Sequence, residues 1–282
     1  MKVAAANWEI RNIGSEREFY DHFQEFVAES KSVNAEWLVL PEFHAFELLN
    51  LAPTLREQEI SRWLAERWRT LSDETVRLAN TYRVNLIGGS SICEKEYGFA
   101  NVIPVALADG RTFEIPKFHM TQYEANALKL MGGNAAQEIS DTSWGAVICY
   151  DVEFPNAVRW QVENGALVVG VPTFTETQFG VNRVRWCAQA RAVEMQCYVV
   201  QSSLVGSLGR EPVPNALGSS AILTPSLEGF PENGILAETP SNQEAIAVAD
   251  LDMEKIVNCR KSGDVRNWDD RDAAKSLFQL DG

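Results

Sequence analysis

Apolar residues follow two alternating rhythms along this chain. Short unbroken apolar runs, the mark of strands covered on both faces, occur at residues 3–7, 37–40 (stopped by Pro41), 84–90, 144–149, 167–171 and 198–202. Between them the spacing turns helical. In 15–32, Phe19, Phe23, Phe26 and Val27 recur at i, i+4, i+7 and i+8, and Ser15 with Glu18 has the spacing of a capping box. Residues 59–83, 155–164 and 181–195 are predicted as further helices, with Pro155 suited to a first turn. Asp109-Gly110 centres a hairpin between 100–107 and 112–115. Residues 219–223 and 244–251 are later strands. Strands alternating with helices, plus a hairpin, predict an α/β fold with a mixed sheet layered by helices. No repeat or linker interrupts residues 1–258. The charged segment 259–282 is expected to be a tail, an arm reaching towards a partner subunit.

Composition narrows the partners. The 282 residues are 45% hydrophobic and 23% charged, ordinary globular usage and enough chain for one large core. The net charge of −14, with no run of Lys and Arg, excludes nucleic acid as a main partner, because a polyphosphate needs a basic footprint. No stretch approaches the ~18 apolar residues of a membrane span. The N-terminal apolar run, Val3 to Ala6, is too short for a signal-peptide core. A cytoplasmic protein with no membrane partner is therefore expected. The five cysteines are scattered without a CxxC pair and only three histidines occur, so neither a disulfide framework nor a metal site is expected. Gly88-Gly89 and Gly132-Gly133 lack the context of a phosphate loop, so no cofactor is expected either.

Three reactive side chains share one local grammar. Glu42, Lys117 and Cys149 each follow an apolar strand, where layered α/β proteins place ligands. Taken singly, each has an ordinary explanation: a solvated acid, a solvated lysine, a packed thiol. Together their chemistry is complementary. The carboxylate takes the thiol proton, the thiolate attacks a carbonyl or nitrile carbon, and the ammonium steadies the oxyanion. The histidines (His22, His44 and His119) are poorer partners for the thiol: His22 lies within a helix, and the others stand two residues beyond the more suggestive Glu42 and Lys117. The ion pair expected of Arg191 and Glu194, at i and i+3, is taken as structural, and Asp151 as a tie for its own turn's amides.

Pro41-Glu42, Pro116-Lys117-Phe118-His119, Ile148 to Pro155 and Cys187 to Gln196 resemble the ordered signature blocks of the nitrilase superfamily of carbon–nitrogen hydrolases. Glu42 and Lys117 are 75 residues apart and Lys117 and Cys149 are 32 apart, in the family's order, and the likeness covers about residues 1–255. The resemblance implies a four-layer α-β-β-α sandwich that dimerises through helices. It implies Glu42 as general base, Cys149 as nucleophile, Lys117 as stabiliser of the tetrahedral intermediate, and the Tyr150 N–H as an oxyanion donor. It places Glu124 beside Lys117. Members acting on nitriles carry Trp-Glu after the cysteine; Tyr150-Asp151 here favours a small amide substrate, with a nitrilase or a non-catalytic binding protein as the alternatives. Many members carry Arg where this chain has Glu153. A glutamate facing the pocket would repel a carboxylate tail and attract an amine, whereas a glutamate tied to its own loop or to Arg159 would do neither.

Overall fold

The computed structural model describes residues 1–273. The first apolar run forms β1 (Lys2–Ile10), whose alternation separates two cores: Val3 and Ala5 face one, and Ala4, Ala6 and Trp8 the other. α1 (Glu16–Ser32) starts at Ser15, whose hydroxyl accepts from the Glu18 amide at 3.3 Å. The Glu18 carboxylate reaches one residue further back than a standard capping box, to the Gly14 amide at 3.0 Å. Phe19, Phe23, Phe26 and Val27 are buried on one face of this helix, each burial worth about 1.5–3 kcal/mol. β2 (Trp37–Leu40) alternates as β1 does, with Trp37 and Val39 in the first core and Leu38 and Leu40 in the second.

The single helix predicted for 59–83 is two, α2 (Ile60–Ala65) and α3 (Trp68–Tyr82). The break is made by Arg67. Its guanidinium bonds the Trp63 carbonyl at 3.0 Å, the acceptor an unbroken helix would offer to Arg67's own amide. That amide turns to the Leu64 carbonyl instead, at 2.9 Å. Buried Ile60, Leu64, Trp68 and Leu71 keep helical phase across the break, so the hydrophobic pattern runs straight through it.

β3 (Asn85–Gly88) pairs parallel to β2. β4 (Ser91–Lys95), a strand the pattern did not show, pairs antiparallel to β5 (Gly98–Ala106) and carries Cys93. β6 (Thr112–Pro116) closes the Asp-Gly hairpin with β5. After α4 (Gln122–Asn126) comes β7 (Trp144–Ala146), shorter than the predicted 144–149 because Cys149–Glu153 winds into a 3₁₀ turn. α5 (Pro155–Glu163), β8 (Val168–Thr173), α6 (Gln178–Met195) and β9 (Tyr198–Gly206) complete the alternation. β10 (Ala221–Leu223), β11 (Ile235–Glu238) and β12 (Ala245–Asp250) precede α7 (Met253–Ser262) and α8 (Asn267–Asp270).

The strands make two facing layers. One runs β12-β1-β2-β3-β5, with β4 and β6 both on β5; the other runs β7-β8-β9-β10-β11. They join where the end of β1 (from Asn7) pairs parallel with the end of β9 (from Ser203). Gly170 lets the layers close: a Cβ there would lie 2.4 Å from Ile87 Cδ1. α1 and α3 cover the first layer and α5 and α6 the second, giving the four-layer α-β-β-α sandwich. The described part of segment 259–282 does not project. Arg260 donates to the carbonyls of Met195 (3.1 Å) and Gln196 (3.0 Å) at the end of α6, and Arg159 of α5 binds Asp272 at 2.7 Å. The rest of that segment lies outside the described residues. Among the described residues no helix is long and apolar enough to cross a membrane.

Candidate active site

Glu42, Lys117 and Cys149 stand just past β2, β6 and β7, and the fold brings all three to one cavity of about 240 Å³. Phe43, Phe46, Leu128 and Val184 form its apolar wall. Glu124, Tyr150 and Glu153 line it as well. Cys149 sits at φ +42°, a conformation side chains rarely adopt and that costs about 1–3 kcal/mol. Strain of this kind persists only where the surrounding structure holds it.

The contacts are dense and buried. Lys117 Nζ donates to Glu42 Oε1 at 2.8 Å and to Glu124 Oε2 at 2.7 Å. Asn101 Nδ2 donates to the same two carboxylates, to Glu42 Oε1 at 2.9 Å and Glu124 Oε1 at 3.1 Å. Phe174, the first residue past β8, contributes two backbone bonds: its N–H donates to Glu42 Oε2 at 3.0 Å and its carbonyl accepts from Cys149 Sγ at 3.4 Å. Glu124 also accepts from the amide and hydroxyl of Thr121, so it closes a capping box for α4 while it holds Lys117. None of the three histidines lines the cavity.

Burial sets the electrostatics. It pushes the Glu42 pKa up to about 7, Lys117 countering and the Glu124 charge reinforcing the rise. It also drives the Cys149 thiol well above its ordinary value; the Glu42 charge adds to this and Lys117 opposes it. For Lys117 burial acts downward, but the Glu124 and Glu42 carboxylates more than offset it, so the ammonium stays charged. The resting site therefore holds a neutral thiol beside a carboxyl group that titrates near neutral pH, the condition for a general base.

A family model described as carbon-nitrogen hydrolase matches residues 2–261. The chain belongs to the carbon–nitrogen hydrolase family. It is 32% identical over 279 residues to the Bacillus subtilis protein named "Probable hydrolase YhcX", covering 96% of this chain and 53% of that protein, so it spans about half that relative's length. It is 28% identical over 246 residues to the Bacillus subtilis 2-oxoglutaramate amidase, with 84% of this chain and 86% of the relative covered. Among solved structures, Saccharomyces cerevisiae Nit3, a member of the nitrilase superfamily, superposes with a TM-score of 0.75 at 22% identity, covering 93% of each chain. A Nesterenkonia amidase gives 0.73 at 20% identity, covering 97% of this chain and 96% of its own. At these identities the structural likeness speaks to the fold.

Several residues around this cavity escaped the sequence reading. Asn101 left a signal, a lone amide inside the apolar run Ala100-Asn101-Val102-Ile103. Asp151 does not tie its own turn. Its buried carboxylate accepts from the amides of Phe118 (3.1 Å) and His119 (2.8 Å) and from His119 Nδ1 (2.7 Å), clamping the Lys117 loop to the Cys149 turn. Arg191 makes the expected pair with Glu194 and also donates to the Val152 carbonyl at 3.0 Å, bracing the Cys149 turn from behind. Glu153 faces the cavity, and its cation is Arg183 at 3.5 Å, not Arg159, which pairs with Glu163 and Asp272. Lys117 and Arg183 both line the cavity. Among the described residues no group of His, Cys, Asp and Glu is arranged to hold a metal ion.

Proposed function

We propose that this carbon–nitrogen hydrolase cleaves the C–N bond of a small non-peptide amide through a thioester on Cys149. The observation that carries the reading is the convergence of Cys149, Glu42 and Lys117 in one buried cavity, with the carboxyl group poised near pH 7. Glu42 takes the thiol proton as Sγ attacks the amide carbon. The oxyanion is held by Lys117 and the Tyr150 N–H. Collapse breaks the C–N bond, and Glu42 hands its proton to the leaving nitrogen. Glu42 then takes a proton from water, which attacks the thioester, releasing the acid and restoring the thiol. Glu124 and Asn101 keep Lys117 and Glu42 in register through both halves. Relatives named as amidases agree with an amide rather than a nitrile.

Cys149→Ala and Cys149→Ser test the reading. Both should fold and lose turnover, the loss of a nucleophile costing up to ~10⁶ in rate. Mass spectrometry of the wild type mixed with a panel of short amides should show an acyl adduct on Cys149 and released ammonia. Turnover by Cys149→Ala would end the proposal, and adducts from nitriles but not amides would move it to the nitrilase reading.

A further inference from the structure

Glu153 and Arg183 meet inside the cavity that holds Cys149, from opposite sides of its mouth: Glu153 ends the turn begun by Cys149, and Arg183 lies in the second turn of α6. Their contact is loose, one Nε–Oε1 approach of 3.5 Å. Among the described residues, Glu153 Oε2 and the terminal nitrogens of Arg183 make no hydrogen bond. The two ends are also unequal. The Glu153 side chain is 19% exposed, whereas that of Arg183 is 59% exposed. Arg191, donating to the Val152 carbonyl at 3.0 Å, fixes the backbone behind Glu153.

That inequality decides which charge the cavity accepts. A carboxylate tail could reach only the outer, solvent-exposed nitrogens of Arg183, and it would set a second negative charge beside the largely buried Glu153 while competing with it for the one guanidinium. An ammonium tail replaces Arg183 on Glu153, and the freed guanidinium needs only to turn into water. Glu176, which also lines the cavity, has no cation beside it among the described residues, so it reinforces the same sign. We infer that the mouth of this site is a cation subsite: Glu153 seats an ammonium group on the tail of the substrate amide, and Arg183 is its exchangeable counter-ion in the empty site. The inference rests on the amide reading above and narrows it to ω-amino amides.

The experiment compares three primary amides of equal length whose tails end in ammonium, methyl or carboxylate, assayed by ammonia release. The ammonium tail should exceed the methyl tail in kcat/KM by about tenfold, the low end for a charge-assisted hydrogen bond at a solvent edge, and the carboxylate tail should be slowest. Glu153→Gln should erase that lead, lowering the ammonium-tailed rate more than the methyl-tailed one. Arg183→Gln should preserve or widen it. A wild-type preference for the carboxylate tail, lost in Arg183→Gln, would make Arg183 the reader and overturn the inference, as would a ranking unmoved by Glu153→Gln. A second measurement needs no turnover: pentylammonium and pentanoate are titrated into wild type, Cys149→Ala and Glu153→Gln by calorimetry. Pentylammonium should bind the first two about tenfold more tightly than Glu153→Gln, and pentanoate more weakly than either. Absence of adducts and ammonia with every amide, together with Glu153-dependent pentylammonium binding, would sink the amide reading and leave the cation subsite standing. Equal binding of the two probes would sink the subsite alone.

Discussion

Asn101→Leu isolates what one buried amide does to the base. The substitution keeps the branching at Cγ in a somewhat bulkier side chain and removes both charge-assisted bonds, at 2.9 Å to Glu42 and 3.1 Å to Glu124. Each is worth about 1.5–3 kcal/mol to the charged carboxylate it serves. At 1.36 kcal/mol per pKa unit, losing the Glu42 bond should raise that carboxyl by about 1–2 units. Its starting value is already up at about 7 through burial, so the variant should titrate about one to two units higher. The sign is definite. Glu42 works only as the anion, so reactivity falls as pH drops through its pKa, and a higher pKa moves the acid limb upward. At pH 7 the variant should be about tenfold less reactive and should recover as pH rises. The assay follows alkylation of Cys149 by iodoacetamide from pH 5.5 to 9.5 by intact mass, which requires no substrate. The midpoint of that limb is compared between wild type and variant. A rate lowered equally at every pH, with the midpoint unmoved, would show that Asn101 merely fills space. A wild-type profile without an acid limb would refute the general-base assignment itself.

Three further outcomes are expected. Asp151→Ala strands the Phe118 and His119 amides and unclamps the Lys117 loop, so it should lower unfolding free energy by about 2–4 kcal/mol and slow Cys149 alkylation; urea unfolding unchanged from wild type would contradict it. His22 is buried between Glu47 and Glu244; burial alone would lower its pKa, but the two carboxylates raise it above the ordinary value. Its stabilising contribution is full below about pH 6.5 and lost as pH rises through the raised value. His22→Leu should therefore cost about 3–5 kcal/mol at pH 6 and distinctly less at pH 9, compared by urea midpoints, and a deficit that grows with pH would be the wrong sign. Phe179 and Trp186 stand 79% and 64% exposed along α6, the face through which the chain is expected to pair. Trp186→Glu should convert a dimer into a monomer by light scattering at micromolar concentration, and a wild type of monomer mass would count against that pairing.

The local rules in the chain were enough for much of this. Phe19, Phe23, Phe26 and Val27 mark α1 because a 3.6-residue period is a property of the backbone, and Ser15 caps it because the first amides of any helix need an acceptor. The hairpin at Asp109-Gly110 and the strand-end positions of Glu42, Lys117 and Cys149 were legible for the same reason: each depends on neighbours in sequence. What tertiary structure alone decided depends on neighbours in space. The break at Arg67 is invisible to periodicity because the buried positions keep phase, and it exists because a guanidinium competes for the Trp63 carbonyl. β4 and β11 have too little pattern of their own, and β4 is a strand because β5 offers it an edge. Glu153 has the same identity whether it faces its own loop or the cavity; the packing of α6 against the Cys149 turn, which brings Arg183 within 3.5 Å, settles which. The pKa of Glu42 is likewise no property of a glutamate at position 42. It rises because folding buries the carboxyl away from water beside the Glu124 charge, 82 residues along the chain, a cost that Lys117, 75 residues along, only partly offsets.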